Sequence, residues 1–228
     1  MKFIFFVLMI SFFFSGCDGK IEKMIWDNIA EVREFALYGV EDNISITLMC
    51  GQRESEYKMD GYATSLIPFG VITITLADGE DIEVQSSSFV LFVGTEKFEG
   101  DLIKNPFDGT LVADIGKEID RYQNISIDVY INDEKESLKL KNVDEDWKIN
   151  VRDCIDILLN NFDREIKGFV NDDTFEGEVY IKIIDDYDKF MSKFYYYVSV
   201  VDRRGSSISM LISPLNGEIL ASNSNILP

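Results

Sequence analysis

The chain of 228 residues contains no histidine. That absence removes Ser-His-Asp and Cys-His nucleophilic catalysis, which need an imidazole to take the nucleophile's proton. It also removes the common zinc sites with histidine ligands and a histidine pH switch. Basic residues are scarce, with 22 Lys and Arg against 41 Asp and Glu, for a net charge of −19. So acidic a chain cannot neutralise phosphates as nucleic-acid binding requires. It has no basic patch with which to adhere to anionic lipid. The 15 glycines fall at turns, without the spacing of a phosphate-cradling loop. Carboxylates, Lys, Tyr, Ser and thiols remain for chemistry, and they call for no cofactor and no metal.

What the sequence does have begins with a greasy run, Phe3 to Phe14, preceded by Lys2 and uninterrupted by charge before Asp18. A membrane span needs about 20 apolar residues, so this run is short for one. It has the length of a signal-peptide core. Ser15-Gly16 then leads directly to Cys17. This arrangement resembles the lipobox of bacterial lipoproteins, although Phe14 stands where leucine is usual. The resemblance implies that residues 1–16 are removed as a signal peptide and that the Cys17 thiol carries lipid. Residues 17–29 are then expected as a tether. It further implies an exported protein, anchored at the outer face of the cell membrane or the periplasmic side of an envelope membrane. Given the net charge, contact with the membrane would come through Cys17 alone. An ordinary secretory signal, with Cys17 incidental, is the alternative.

Residues 30–143 read as β-structure, whose many short strands with regular turns favour a sandwich or a barrel, and a β-sandwich is expected. Ile72, Ile74 and Leu76 alternate with Thr73 and Thr75, and Asp78-Gly79 is a hairpin signal before a returning strand at 81–84. Phe89-Val90-Leu91-Phe92-Val93 is a continuous apolar run, as for a strand covered on both faces. Leu111, Ala113 and Ile115 alternate. The run from Ile125 to Ile131 is the clearest alternation, with Asn132-Asp133 as its turn and Leu138 and Leu140 on the strand that returns.

The acidic stretch 143–146 marks a boundary, beyond which the period changes from two to 3.6. Val151, Cys154, Ile155, Leu158, Leu159, Phe162, Ile166 and Phe169 form one apolar helical stripe. Strands follow at 179–183, 194–201, 207–213 and 218–220. Residues 148–228 are therefore expected as a helix-plus-antiparallel-sheet unit, making the whole chain mainly β with an α+β C-terminal part. Within it, Tyr195 to Leu220 resembles the end of a PepSY-type domain, with Gly217 and Ile219-Leu220 in place and Ser213 where an Asp is usual. That resemblance implies a binding or peptidase-regulating module rather than an enzyme.

Two polar clusters carry candidate sites. The segment 51–61 joins two strands, and Arg53, Tyr57 and Asp60 in it are candidates for a recognition loop. A solvated hairpin with a surface ion pair is the plainer account. Asp172, Asp173, Glu176 and Glu178, with Asp185, Asp186 and Asp188, supply oxygens but fail the spacing of an EF-hand calcium loop. They read as solvated charge. Cys50 and Cys154 both read as small buried core residues, with a disulfide between them as the alternative. The expected function is a cell-envelope lipoprotein acting as a binding or accessory module for a protein or peptide partner. A hydrolase using paired carboxylates is the competing class, and the sequence selects no such pair.

Overall fold

The longest strand, β1 (Ile29–Glu41), organises the fold. In the computed structural model, which describes residues 15–56, 60–76, 84–186 and 193–227, β1 has a different partner along each part of one edge. Ile29, Glu31 and Val32 pair in parallel with Val179, Tyr180 and Ile181 of β12 (Glu178–Asp185). Leu37 and Tyr38 then pair antiparallel with Asn142 and Lys141 of β9 (Glu134–Asn142). The opposite edge pairs with β2 (Ile44–Glu54) along almost its whole length. A bulge between Arg33 and Phe35 falls where the edge changes partner. Gly51 lies opposite Arg33, and a Cβ there would stand 1.9 Å from the Val32 carbonyl oxygen. Only glycine permits so close a backbone approach.

From β2 the sheet continues through β3 (Leu66–Leu76) to β7 (Leu111–Ile115) and β6 (Ile103–Lys104). From β9 it continues through β8 (Ile125–Ile131) to β4 (Ser87–Val93) and β5 (Glu96–Asp101). The chain passes from β5 to β6 through the buried Leu102. The two wings are thereby joined, and the N-terminal strands curl nearly into a barrel. Its weak seam is β6–β7, with only Ile103↔Val112 and Lys104↔Leu111 paired. A barrel of about eight strands is just wide enough for side chains to fill. Ile46, Leu48, Ile72, Ile74, Leu91, Leu111 and Ile127 fill it, each with no exposed surface.

The second core lies on the far side of β1. Alternation divides the strand: Phe35 and Leu37 enter the barrel, while Val32 and Ala36 join the other core. There α2 (Val151–Lys167) lies on the sheet continued by β12, β13 (Phe194–Val201), β14 (Ser207–Ile212) and β15 (Ile219–Asn225). Asn150 caps α2, accepting from the Arg152 and Asp153 amides, and Asp153 accepts in return from the Asn150 amide. A small hairpin, β10 (Val170–Asn171) and β11 (Thr174–Phe175), turns through Asp172 and Asp173, both at positive φ.

The fold is mainly β with an α+β C-terminal part, as expected, and the sandwich expected at its N-terminal end is joined at its edges. Three details differ. The units 30–143 and 148–228 have separate cores but share one sheet, because β1 pairs with β12. Residues 17–29 are not a loose tether. They lie in α1 (Ser15–Trp26) and the approach to β1, with Ile25 fully buried and Ile21 and Met24 packed on the second core. Ion pairs Lys20–Asp173 and Arg152–Glu22 flank that helix. Finally, β4 is buried on one face only: Phe89, Leu91 and Val93 point into the barrel, while Val90 and Phe92 are half-buried. The Asp78-Gly79 turn and residues 81–83 lie outside the described residues.

The shared strand predicts a single cooperative unfolding transition. Far-UV circular dichroism reports strands of both cores, whereas fluorescence reports only Trp26 and Trp147 beside the second core. The two denaturation curves should coincide, and separated midpoints would show independent units. Gly51→Ala should cost about 1–3 kcal/mol through its collision with β1. Gly116→Ala, with nothing within 4 Å of its Cβ, should stay within about 0.5 kcal/mol of the native chain.

Candidate functional site

The barrel interior is full, so space for a ligand is found at its ends. The larger cavity, about 760 Å³, opens at the end where β1 leaves β12. β1 supplies Glu34 and Phe35, the end of β2 supplies Gln52, and the start of β3 supplies Phe69. β5 supplies Glu96 and Phe98. The connection between β7 and β8 supplies Glu118, Asp120, Arg121 and Tyr122 across the opening. That connection is pinned from below by the buried Ile119 and shaped by Asp120, whose carboxylate accepts from the Tyr122 amide and the Gln123 side chain at 3.0 and 3.1 Å. The same two bonds, Tyr122 first, hold the Asp120 carboxyl below its ordinary range.

One guanidinium group, Arg121, lines the mouth, and a second, Arg53, lies beside it over Phe69. Arg121 pairs with Asp144, and its carbon lies 5.3 Å from the Phe35 ring centre and 5.6 Å from that of Tyr122. Arg53 pairs with Asp114 and lies 4.7 Å over Phe69. A second cavity of about 450 Å³ adjoins the first across Glu34 and Arg121. It is walled by Trp26, Trp147 and Tyr196, with the last two rings edge-to-face at 5.1 Å. The start of α2 also borders it, but Asn150 already occupies the helix-terminal amides there.

The residues singled out from the sequence are scattered. Arg53 serves an ion pair beside the mouth, and Tyr57 lies outside the described residues. Asp60 is exposed and accepts from the Tyr62 amide at 3.2 Å. The loop carrying Asp60 is tied down by two buried carboxylates, Glu178 accepting from the Gly61 amide at 2.7 Å and Glu54 accepting from the Thr64 amide. Of the acidic residues at 172–188, Asp172 and Asp173 form an exposed turn, Glu178 is fully buried, and Asp188 lies outside the described residues. Among the described residues no group of three metal-ligating side chains is assembled. Cys50 and Cys154 are free and sit in different cores. Burial first, and then Glu34, pushes the Cys50 thiol up to about 12, and burial pushes Cys154 up as well. Both are therefore protonated packing residues rather than nucleophiles.

The mouth itself was not read from the sequence. Glu34, Glu96, Glu118 and Asp120 come from three separate chain segments, and no local pattern joins them. The buried charge at the β1–β12 junction was missed as well. Glu31 receives Arg33 Nε at 2.9 Å and Lys182 Nζ at 2.7 Å, while Arg33 Nη1 also donates to the Ile183 carbonyl at 3.1 Å. Burial alone would raise the Glu31 carboxyl, but the Lys182 hydrogen bond and the Arg33 charge outweigh it and hold it below 4.5. These carboxylates bind the chain to itself and are structural.

A carboxyl depressed in the folded state adds stability above its unfolded value and loses it as pH falls through its folded value. Stability should therefore decline as pH is lowered below about 4.5, the ordinary value for this group. Glu31→Gln should cost about 2 kcal/mol at pH 7 and flatten that acid dependence. Urea midpoints between pH 3 and 7 would measure both, and an unchanged acid slope would remove Glu31 from the account. The site must be read from its own geometry, since no family model, curated protein or solved structure matches the chain.

Proposed function

We propose that the protein is an exported, lipid-anchored binding module that holds a segment of a protein or peptide partner at the barrel mouth. The observation that carries this is the open cavity of about 760 Å³, walled by aromatic rings and rimmed by charged side chains from two strands and the β7–β8 connection. Such a surface recognises and orients a ligand, and its polar groups fix which one. The anchoring half rests on the greasy run that ends at Ser15-Gly16-Cys17. Two acyl chains on Cys17 supply stable retention where one is marginal. The docking of α1 supports a body held close to the membrane instead of swinging on a tether. The helix followed by four antiparallel strands supports the PepSY-like outline of the C-terminal unit.

A second reading has one observation in its favour. The mouth gathers Glu34, Glu96, Glu118 and Asp120 beside aromatic rings, the ingredients of a carboxylate-based hydrolase. Asp120, held below its ordinary range, suits the base or nucleophile of such a pair and not its general acid.

Fatty-acid labelling and membrane fractionation test the anchor. The native chain should take label and sediment with membranes, and Cys17→Ser should remain folded, unlabelled and soluble. A native chain without label would leave only the secretory signal. A photo-crosslinking residue at the exposed Tyr122 tests the mouth. It should give a discrete adduct in intact cells, while the same residue at Asp133, at the other end of the barrel, should give none. Equal adducts from both positions would remove the mouth from the proposal. Hydrolysis abolished by Glu118→Gln alone would establish the second reading.

A further inference from the structure

We infer that the segment held at the mouth is a basic, extended peptide, its Lys or Arg side chains among the rim carboxylates and an apolar side chain against Trp147 and Tyr196. This rests on the binding reading above and adds the chemistry of what is bound.

Charge sets the class. The two guanidinium groups at the mouth are already neutralised, Arg53 by Asp114 and Arg121 by Asp144. Glu34, Glu96, Glu118 and Asp120 remain on the rim, and Glu96 and Glu118 make no ion pair among the described residues. Two nearby cations are not engaged by a carboxylate among the described residues: Lys148, on the wall of the second cavity, and Lys117 beside the mouth, whose ammonium sits 5.5 Å over the Phe98 ring. Phe35, Phe69 and Tyr122 likewise carry a cation of their own chain. A ring face attracts a cation through its quadrupole, more strongly where water is excluded. Lys117, exposed, thus occupies the kind of place that a ligand's basic side chain would take. A phosphate, nucleotide or acidic peptide would instead meet uncompensated carboxylates.

Shape sets the extension. The cavities of about 760 and 450 Å³ adjoin across Glu34 and Arg121, so one ligand reaches both only by lying along them. The mouth is acidic at one end of that path and the path ends on the Trp26, Trp147 and Tyr196 rings. A chain alternating basic and apolar residues suits it, as extended side chains point alternately to opposite sides. The other end of the barrel separates this from general acidity. Its cavity of about 390 Å³ also carries Glu41, Glu134 and Glu136, but its described apolar lining is aliphatic, Ile44, Leu76, Val129 and Ile131, without a ring.

The experiment titrates the folded chain, residues 17–228, with an unstructured decapeptide alternating lysine and leucine, and with its glutamate–leucine counterpart. Tryptophan fluorescence is the readout, since both tryptophans of the chain line the second cavity. The basic peptide should bind and shift the emission, weakening as salt is raised, while the acidic one should not bind. The triple variant Glu34→Gln, Glu118→Gln, Asp120→Asn should weaken binding about tenfold, the sum of three modest rim charges. The equal charge change Asp133→Asn, Glu134→Gln, Glu136→Gln at the other end should change it less than about twofold. Lys117→Ala should tighten binding, and Lys139→Ala should not. If both triples weaken binding equally, only net charge is at work and the inference fails. If the acidic or an uncharged peptide binds as well at the mouth, the charge assignment fails while the binding reading stands. If no peptide binds and the Tyr122 crosslink is also absent, both fail.

Discussion

The parallel pairing of β1 with β12 is the contact on which the rest depends. Two strands 150 residues apart meet at Ile29↔Val179 and Val32↔Ile181, and their meeting joins two cores into one sheet. Parallel pairs need a long crossover, and here nearly the whole barrel serves as that connection. The ladder is reinforced by the buried carboxylate of Glu31, which holds Arg33 from its own strand and Lys182 from the other. Taking three charges out of water is costly, and it is offset only because each finds a partner in good geometry. The bulge beside Gly51 follows from the same constraint. β1 must leave β12 and turn toward β9 within a few residues, and the backbones there approach too closely for any side chain on β2.

The position of the mouth follows from this junction. Where β1 changes partner, the two edges diverge, and the space between the barrel rim and the start of α2 is left to side chains rather than ladder bonds. Arg121 occupies that space, with Phe35 and Tyr122 under its guanidinium and Asp144 beyond. The guanidinium suits the role because it is planar, remains charged and stacks on rings. One residue therefore borders both cavities and links the β7–β8 connection to the acidic stretch after β9. The barrel's interior is filled by its own apolar side chains, so open space is left only at its ends.

The electrostatic character of the rim is a local matter set against an acidic whole. A chain of net charge −19 repels anionic surfaces and ligands at long range. Distance and salt screen that field within about 10 Å. At the mouth, carboxylates lie beside four ring faces, Phe35, Phe69, Phe98 and Tyr122, each covered by a cation of the chain. The opposite end has acids of similar number, but the described apolar lining of its cavity is aliphatic, and the Tyr130 ring beside it is covered by Lys135. An N-terminal helix docked on the second core, not a loose tether, would carry the same body close to any membrane that held Cys17.

The sequence by itself determined the local elements. Strict alternation at Ile125–Ile131 gave a strand buried on one face, and Asn132-Asp133 gave its turn because both residues tolerate positive φ. The apolar stripe from Cys154 to Ile166 gave a helix on the second core, since a 3.6-residue period leaves only one face to bury. Lack of histidine closed whole classes of chemistry. Tertiary structure decided what periodicity cannot encode. The β1–β12 ladder depends on which strands find each other across the chain, and Glu31 looks like a surface residue until Lys182 is brought beside it. Short polar residues in α1 resembled a tether, yet Ile21, Met24 and Ile25 find a core to bury in. The mouth is the clearest case: Glu34, Glu96, Glu118 and Asp120 share no sequence pattern, because a barrel rim is assembled from the ends of strands. Alternation predicts which face of a strand is apolar, but only closure of the sheet decides which strand ends meet around one opening.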